Sequence, residues 1–437
     1  MSLILIALVT FLGILLGKIL FKKWFNHLTL YCVIMGGLVF LYELKFLPYR
    51  DLIPLTWFLL IATFLAFLFG ILTIFSARNL FPVNEKVTES VLNLPIFVDG
   101  GRILKYTILI FSLVGLFVAL HRWYILIDMF GSIQAVLVNA GIVYRMNVNR
   151  EIKEFIPILP SFVYVAVFFS GIYTAYKKKL TFLTFFPFIT ILLKELTYFG
   201  RGEILLSSLE FLFSFFLFRH LLDMDLKRRF NFSKTNAIIA SIVLVALLVT
   251  TASFIRISRG NYENYVGASS NIKQLKGNFI LSPSVYLYLS SDVGVLNKYL
   301  QSDGENTKFG QNSFLIVYHF LAKIGGVEKP SDFQKGYFIP MWTNTGTYIR
   351  ELHADFGIIG TLLVPYLVGL LITWLWFKFY KSKSLIVFAF LVYLNLIVGF
   401  SFLVMVTRLN LWFMSLFLII MVILFLEKVI LKNRKFR

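Results

Sequence analysis

The chain has 437 residues, of which 59% are hydrophobic, 18% aromatic and only 15% charged, with a formal net charge of +20 and a mean hydropathy of +0.82. Soluble domains run near about 45–50% apolar and about 25% charged, so a soluble enzyme is excluded. The apolar runs are continuous rather than alternating, which selects helical membrane spans over a barrel. The excess of Lys and Arg is what the cytoplasmic loops of such a chain collect, and it needs no nucleic acid as partner.

The first apolar run, 2–20, carries Lys18, Lys22 and Lys23 at its end and no basic residue before it. That is the reverse of a signal peptide and predicts a retained span with its N-terminus outside. Further spans are predicted at 28–47, 52–75, 103–120, 155–176, 180–198, 204–222, 237–255, 356–377, 385–406 and 409–429, making about eleven. With this orientation the basic clusters Lys177/Lys178/Lys179, Arg219 to Lys234, Lys378/Lys381/Lys383 and the C-terminal tail all fall on the cytoplasmic side. The stretch 124–144 is apolar but carries Asp128, Gln134 and Asn139, and a crossing there would reverse every later loop. It is read as an outer-face interfacial or re-entrant helix.

The fold expected is an all-α polytopic membrane protein in five parts: N-terminal spans in 1–120, the interfacial element in 121–154, further spans in 155–255, a large extracytoplasmic loop domain in 256–350, and the last spans with a basic cytoplasmic tail in 351–437. Within the loop domain, 313–324 places Phe314, Val317, Phe320, Leu321 and Ile324 at helical spacing, with Gly325-Gly326 as a stop. The single cysteine, Cys32, lies in an apolar run, so no intrachain disulfide forms.

No Walker-type phosphate loop, metal-ligand spacing or Gly-x-Ser-x-Gly element is present. Arginine instead stands out at the outer ends of spans, where charge bias makes it least expected: Arg201 between Gly200 and Gly202, Arg256 and Arg259, Arg350, and Arg408. Guanidinium is suited to phosphate oxygens through its planar fork and permanent charge, so Arg201, Arg256, Arg259 and Arg408 are candidate ligands for a lipid diphosphate. Each also has the plain reading of an arginine reaching to the interface. His353, beside Arg350, is a candidate base for a sugar hydroxyl, with Asp355 and Glu351 as competitors. Loop aromatics such as Tyr286, Tyr288, Tyr337 and Trp342 suit either stacking on sugar faces or packing within the loop.

The stretch from Trp342 to Gly360, Trp-Thr-Asn-Thr-Gly-Thr-Tyr-Ile-Arg-Glu-Leu-His-Ala-Asp-Phe-Gly-Ile-Ile-Gly, runs straight into a span. It resembles the late outer-loop signature of Wzy-type oligosaccharide repeat-unit polymerases, matched by Asn344, Tyr348, Asp355, Phe356, Gly357 and Gly360. The Arg201-Gly202 pair is similar to that family's mid-chain element. The resemblance implies a GT-C-like enzyme of the bacterial inner membrane, active on the periplasmic side. It would transfer a growing glycan from undecaprenyl diphosphate to a new carrier-linked repeat, with inversion and without a metal or other cofactor. It also implies catalytic roles for His353, Arg350 and Asp355, glycan contacts from Tyr348, Asn344 and Trp342, membrane lipid around the spans, and a chain-length regulator as a possible partner. An O-antigen ligase shares this carrier and architecture. A flippase of lipid-linked oligosaccharides needs charges along a path within the spans, which are almost empty of them.

Overall fold

The computed structural model describes residues 3–77, 95–97, 99–149, 151–152, 158–200, 202–225, 283–302, 304–305, 307–331, 334–340 and 342–434. In chain order its main helices are α1 (Leu3–Phe21), α2 (His27–Glu43, with a π-helical turn at Cys32–Gly36), α3 (Pro54–Ala77), α4 (Arg102–Phe130), α5 (Ile133–Val138), α6 (Ala140–Val148) and α7 (Phe162–Lys177). They continue with α8 (Phe182–Tyr198), α9 (Gly202–Asp225), α10 (Pro283–Gln301), α11 (Leu315–Lys323), α12 (Tyr348–Ser382), α13 (Leu385–Phe400) and α14 (Asn410–Arg434). Between α11 and α12 a short antiparallel hairpin, β1 (Tyr337–Phe338) and β2 (Trp342–Thr343), pairs Tyr337 with Thr343 and Phe338 with Trp342.

Seven helices among the described residues are long and apolar enough to cross a membrane: α1, α3, α4, α7 with its preceding turn from Leu159, α9, α12 and α14. The apolar helices α2 and α13 are shorter. The chain is therefore an all-helical membrane protein, and each of these helices falls on a predicted run. The run predicted at 180–198 is α8, of 17 residues with Pro187 inside it. The run predicted at 237–255 lies outside the described residues.

The chain divides into two compact units. The first comprises Met1–Lys86, Glu263–Ser382 and Tyr393–Phe413. Its tightest helix pair is α3 against α12, where a Cβ on Gly70 would run into the Tyr366 carbonyl and one on Gly369 into the Phe67 carbonyl. Small residues let membrane helices approach backbone to backbone in this way. His27 on α2 shares a 2.9 Å hydrogen bond with Thr373 of α12. The α10 helix docks through Asn297, whose Oδ1 accepts from Ile53 N at 2.9 Å and from Thr56 Oγ1 at 2.8 Å, while its Nδ2 donates to the Asp51 carbonyl at 3.1 Å. The Ile53 amide, at the start of α3, thus finds a side-chain acceptor.

The described part of 256–350 groups with α1 to α3 in the first unit, through contacts that its polar composition does not record: Asn297, Tyr286 and Ser290 bond to the segment joining α2 and α3.

The second unit comprises Val87–Tyr262, Lys383–Val392 and Met414–Arg437. Every residue of α7 from Val163 to Ala175 is buried, consistent with a helix that is apolar all round. The segment 124–144 is not one helix. Tyr124–Phe130 continues α4, Gly131 ends it with φ 86°, Ser132 caps α5 by accepting from Ala135 N, and Asn139 separates α5 from α6. Leu126, Val136, Ala140 and Val143 from these pieces form a buried cluster with Ile152 and Phe199.

Candidate functional site

The first two turns of α12 act as a hub in the first unit, with successive side chains leaving in different directions. Arg350 is 1% exposed. Its Nε and Nη2 donate to Glu305 Oε1 at 2.8 and 2.5 Å, Nη2 also donates to the Lys335 carbonyl at 2.6 Å, and Nη1 to the Asn344 carbonyl at 3.4 Å. The Tyr337 ring lies 5.0 Å from the guanidinium carbon, and its hydroxyl donates to the same Glu305 oxygen at 3.2 Å. One arginine therefore ties the helix to three irregular segments, a task for which five donors in a fixed plane are required.

One residue on, Glu351 turns to the loop after α13. Its Oε2 accepts from Met405 N, and its Oε1 meets Arg408 Nη1 at 3.4 Å. Arg408 also donates to Asn312 Oδ1 and to the Ser331 carbonyl, the latter at 3.0 Å. Asp355, one helical turn beyond Glu351, accepts four hydrogen bonds: Asn312 N and Nδ2 at 3.0 Å each on Oδ1, and Ser313 N and Oγ at 2.7 and 2.8 Å on Oδ2. The result is a continuous chain of contacts, Asp355–Asn312–Arg408–Glu351, that locks two loops to α12.

His353 projects to α10, where its Nδ1 and the Tyr299 hydroxyl are 2.9 Å apart and the rings meet edge to face at 5.6 Å. Burial first, and then the Glu305 charge, push the Tyr299 phenol up to about 12, so it stays protonated at neutral pH. In the tautomer whose Nδ1–H donates to the Tyr299 oxygen, Nε2 carries the lone pair and can accept a proton.

The signature after His353 has a direct backbone explanation. Gly357 takes φ 63° and ψ −158°, a region open essentially to glycine alone, and kinks α12 there. A Cβ on Gly360 would overlap the Cβ of Phe356, folded back by the kink. Asp355 anchors the segment before the kink, Gly357 turns it, and Gly360 makes room for Phe356.

Other expected site residues are placed differently. Tyr348 is buried, its hydroxyl 2.8 Å from that of Tyr31, so it is a core residue and not a stacking platform for sugars. Asn344 is exposed, and Trp342 is 71% exposed at the hairpin. Arg350 and Arg408 are not open cations: Glu305 and Glu351 match them. Asp355 has its acceptor capacity filled and serves as a clamp rather than as a base. Arg201, Arg256 and Arg259 lie outside the described residues.

Sequence reasoning missed Glu305, Tyr299, Asn312 and Asp292. Glu305 stands 45 residues before Arg350, and no local spacing announces the pair. Asp292 on α10 is fully buried. Burial holds its carboxyl well above the usual carboxylate range, against smaller opposing pulls from the Thr345 hydroxyl and the Arg350 charge. Among the described residues no three His, Cys, Asp or Glu side chains converge as a metal site.

Comparison of the chain with known protein families, with characterised proteins and with solved structures finds no match.

Proposed function

We propose that the chain is a membrane glycosyltransferase that extends lipid-linked oligosaccharide repeats, moving the growing glycan from a polyprenyl diphosphate to a hydroxyl of a new carrier-linked repeat. The observation that carries this reading is the fan of groups at the start of α12. It combines a histidine aligned by a tyrosine with an exposed Trp342 and Asn344 within a few residues of the same helix start, and it meets Arg408, whose contacts are a long one to Glu351 and two with the uncharged Asn312 and Ser331 carbonyl. In the proposed architecture about eleven spans, GT-C-like, hold this helix start and the large loop on the extracytoplasmic side of a bacterial inner membrane.

The proposed chemistry balances as a single displacement. The acceptor hydroxyl oxygen bonds to the anomeric carbon, the bond from that carbon to the diphosphate oxygen breaks with its electron pair, and the hydroxyl proton passes to His353 Nε2. The configuration at the anomeric carbon inverts. Of the two candidate arginines among the described residues, Arg408 is the preferred diphosphate ligand, because its Glu351 contact is long at 3.4 Å and its other partners, Asn312 and the Ser331 carbonyl, are uncharged, whereas Arg350 is held by Glu305 at 2.5 and 2.8 Å. A diphosphate carries more charge than a carboxylate and can displace Glu351 from the guanidinium fork. Charge developing on the leaving group is where such a cation lowers the barrier. Arg350 is then a positioning residue for the loop that carries Trp342 and Asn344, and Arg201, Arg256 and Arg259 remain proposed diphosphate ligands.

An O-antigen ligase is the second reading, since it uses the same donor and leaving group. Gel analysis of surface polysaccharide in a strain lacking the protein separates them. Single repeats on the final acceptor support the polymerase. Loss of all attached glycan, with carrier-linked polymer retained, supports the ligase.

A further inference from the structure

The α11 helix is amphipathic, yet its apolar stripe faces away from the protein. Phe314, Val317, Phe320 and Ile324, spaced along one side of the helix, are 50%, 47%, 63% and 65% exposed, while Leu315 on the other side is buried. An ordered helix in a water-facing loop buries that stripe. Here it continues an exposed apolar surface. On α12, Ile359, Leu363, Leu367 and Leu371 recur every fourth residue and are all exposed, on a helix long and apolar enough to span a membrane. The two stripes meet through aromatic contacts: the Phe309 and Phe356 rings pack edge to face at 4.8 Å, and a Cβ built on Gly310 lies 3.2 Å from the Phe314 ring and 3.4 Å from the Phe356 ring. Lys308, Lys323 and Lys329 are exposed on the segments that flank the apolar stripe.

We infer that α11 lies in the headgroup–acyl boundary of the same bilayer that α12 crosses, at the Tyr348 end of α12, with its phenylalanines among the upper acyl carbons and its flanking lysines among anionic headgroups. A helix of this composition inserts its apolar face by several ångströms and draws added attraction from anionic lipid. The inference is independent of the glycan-transfer reading. It makes α11 a membrane anchor for the loop whose Asn312 and Ser313 clamp Asp355, so that loop is held to the bilayer on one side and to α12 on the other.

The test uses the full chain in vesicles of phosphatidylcholine with phosphatidylglycerol, with a fluorophore placed at Phe320→Cys; the one native cysteine, Cys32, is buried. Leu367→Cys serves as the lipid-facing reference and Asp51→Cys, on a side chain 91% exposed, as the aqueous one. The label at position 320 should be quenched by doxyl-bearing lipid at least about threefold more than the label at position 51, and by aqueous iodide at least about threefold less. Iodide quenching equal to that at position 51 overturns the inference. So does shielding from both quenchers, which would mean that a second copy or another protein covers the stripe. Val317→Cys gives the same reading from the preceding turn if Phe320→Cys does not fold.

Discussion

Both units bury charge, but they use it for different work. In the second unit Lys194 on α8 pairs with Glu203 on α9 at 2.6 Å, and Tyr164 of α7 donates to the same oxygen at 2.9 Å. Arg122 of α4 donates to Thr197 Oγ1 at 3.0 Å and to Asn147, with its guanidinium carbon 3.6 Å from the centre of the Tyr198 ring. These contacts join helix to helix. In the first unit Arg350 and Arg408 join a helix to loops, and half of their partners are backbone carbonyls: Lys335, Asn344 and Ser331. Helices satisfy their own backbone and need only side-chain partners, whereas irregular segments at a span's end bring unpaired carbonyls that a many-donor side chain must collect. The contrast explains why the functional candidates gather where the backbone is irregular.

The largest loss of stability is expected at Arg350. Replacing it with Met leaves Glu305 with the Tyr337 hydroxyl alone and two carbonyls without their donor, and should cost about 3–5 kcal/mol, read from thermal unfolding in detergent. Arg350→Lys should recover little, because one ammonium cannot reach Glu305, Lys335 and Asn344 together. The double change Arg350→Met with Glu305→Leu should regain part of the loss; equal instability of the single and double variants would show that the ion pair is not what holds the loops. Gly357→Ala should come next, at about 1–3 kcal/mol, because its φ 63° and ψ −158° exclude a Cβ although nothing crowds the site. Full stability there would mean that the kink is not required.

A smaller loss is expected in the second unit. Lys194→Met leaves Glu203 with the Tyr164 hydroxyl and partial exposure, so it should cost about 1–3 kcal/mol, less than the Arg350 change. A cost equal to that of Arg350→Met would erase the distinction between the two kinds of cluster. An effect of another kind, read as a slope with pH, is expected at Asp292. Its folded pKa is raised, so the stability it contributes is present below the unfolded value of about 3.9 and is lost as pH rises through the folded value. Across that window the unfolded chain releases a proton that the folded protein keeps. Asp292→Asn should remove this decline, seen as a flatter plot of unfolding temperature against pH.

The sequence made the spans legible because each needs only a run of apolar residues, and α1, α3, α12 and α14 lie close to where those runs predict. Arg350, His353 and Asp355 were legible as a group because they share two helical turns. Their partners were not, since Glu305, Tyr299 and Asn312 are brought to α12 by chain reversals that leave no spacing behind. Tyr348 was ambiguous for a related reason: its aromatic ring fits a sugar platform and a helix core equally, and only the packed chain brings its hydroxyl to that of Tyr31. The apolar stripe of α11 was visible in its periodicity, but the direction it faces is a property of the packed chain.

The most direct measurement of the account is extension of a carrier-linked repeat by the purified full-length protein in the presence of a chelator, with products resolved by length. The wild-type protein should give a ladder of longer carrier-linked glycans that disappears in Arg408→Ala and in His353→Ala variants that keep wild-type folding. A ladder that persists unchanged in both variants, or the absence of any extension by the folded wild-type protein, would contradict it.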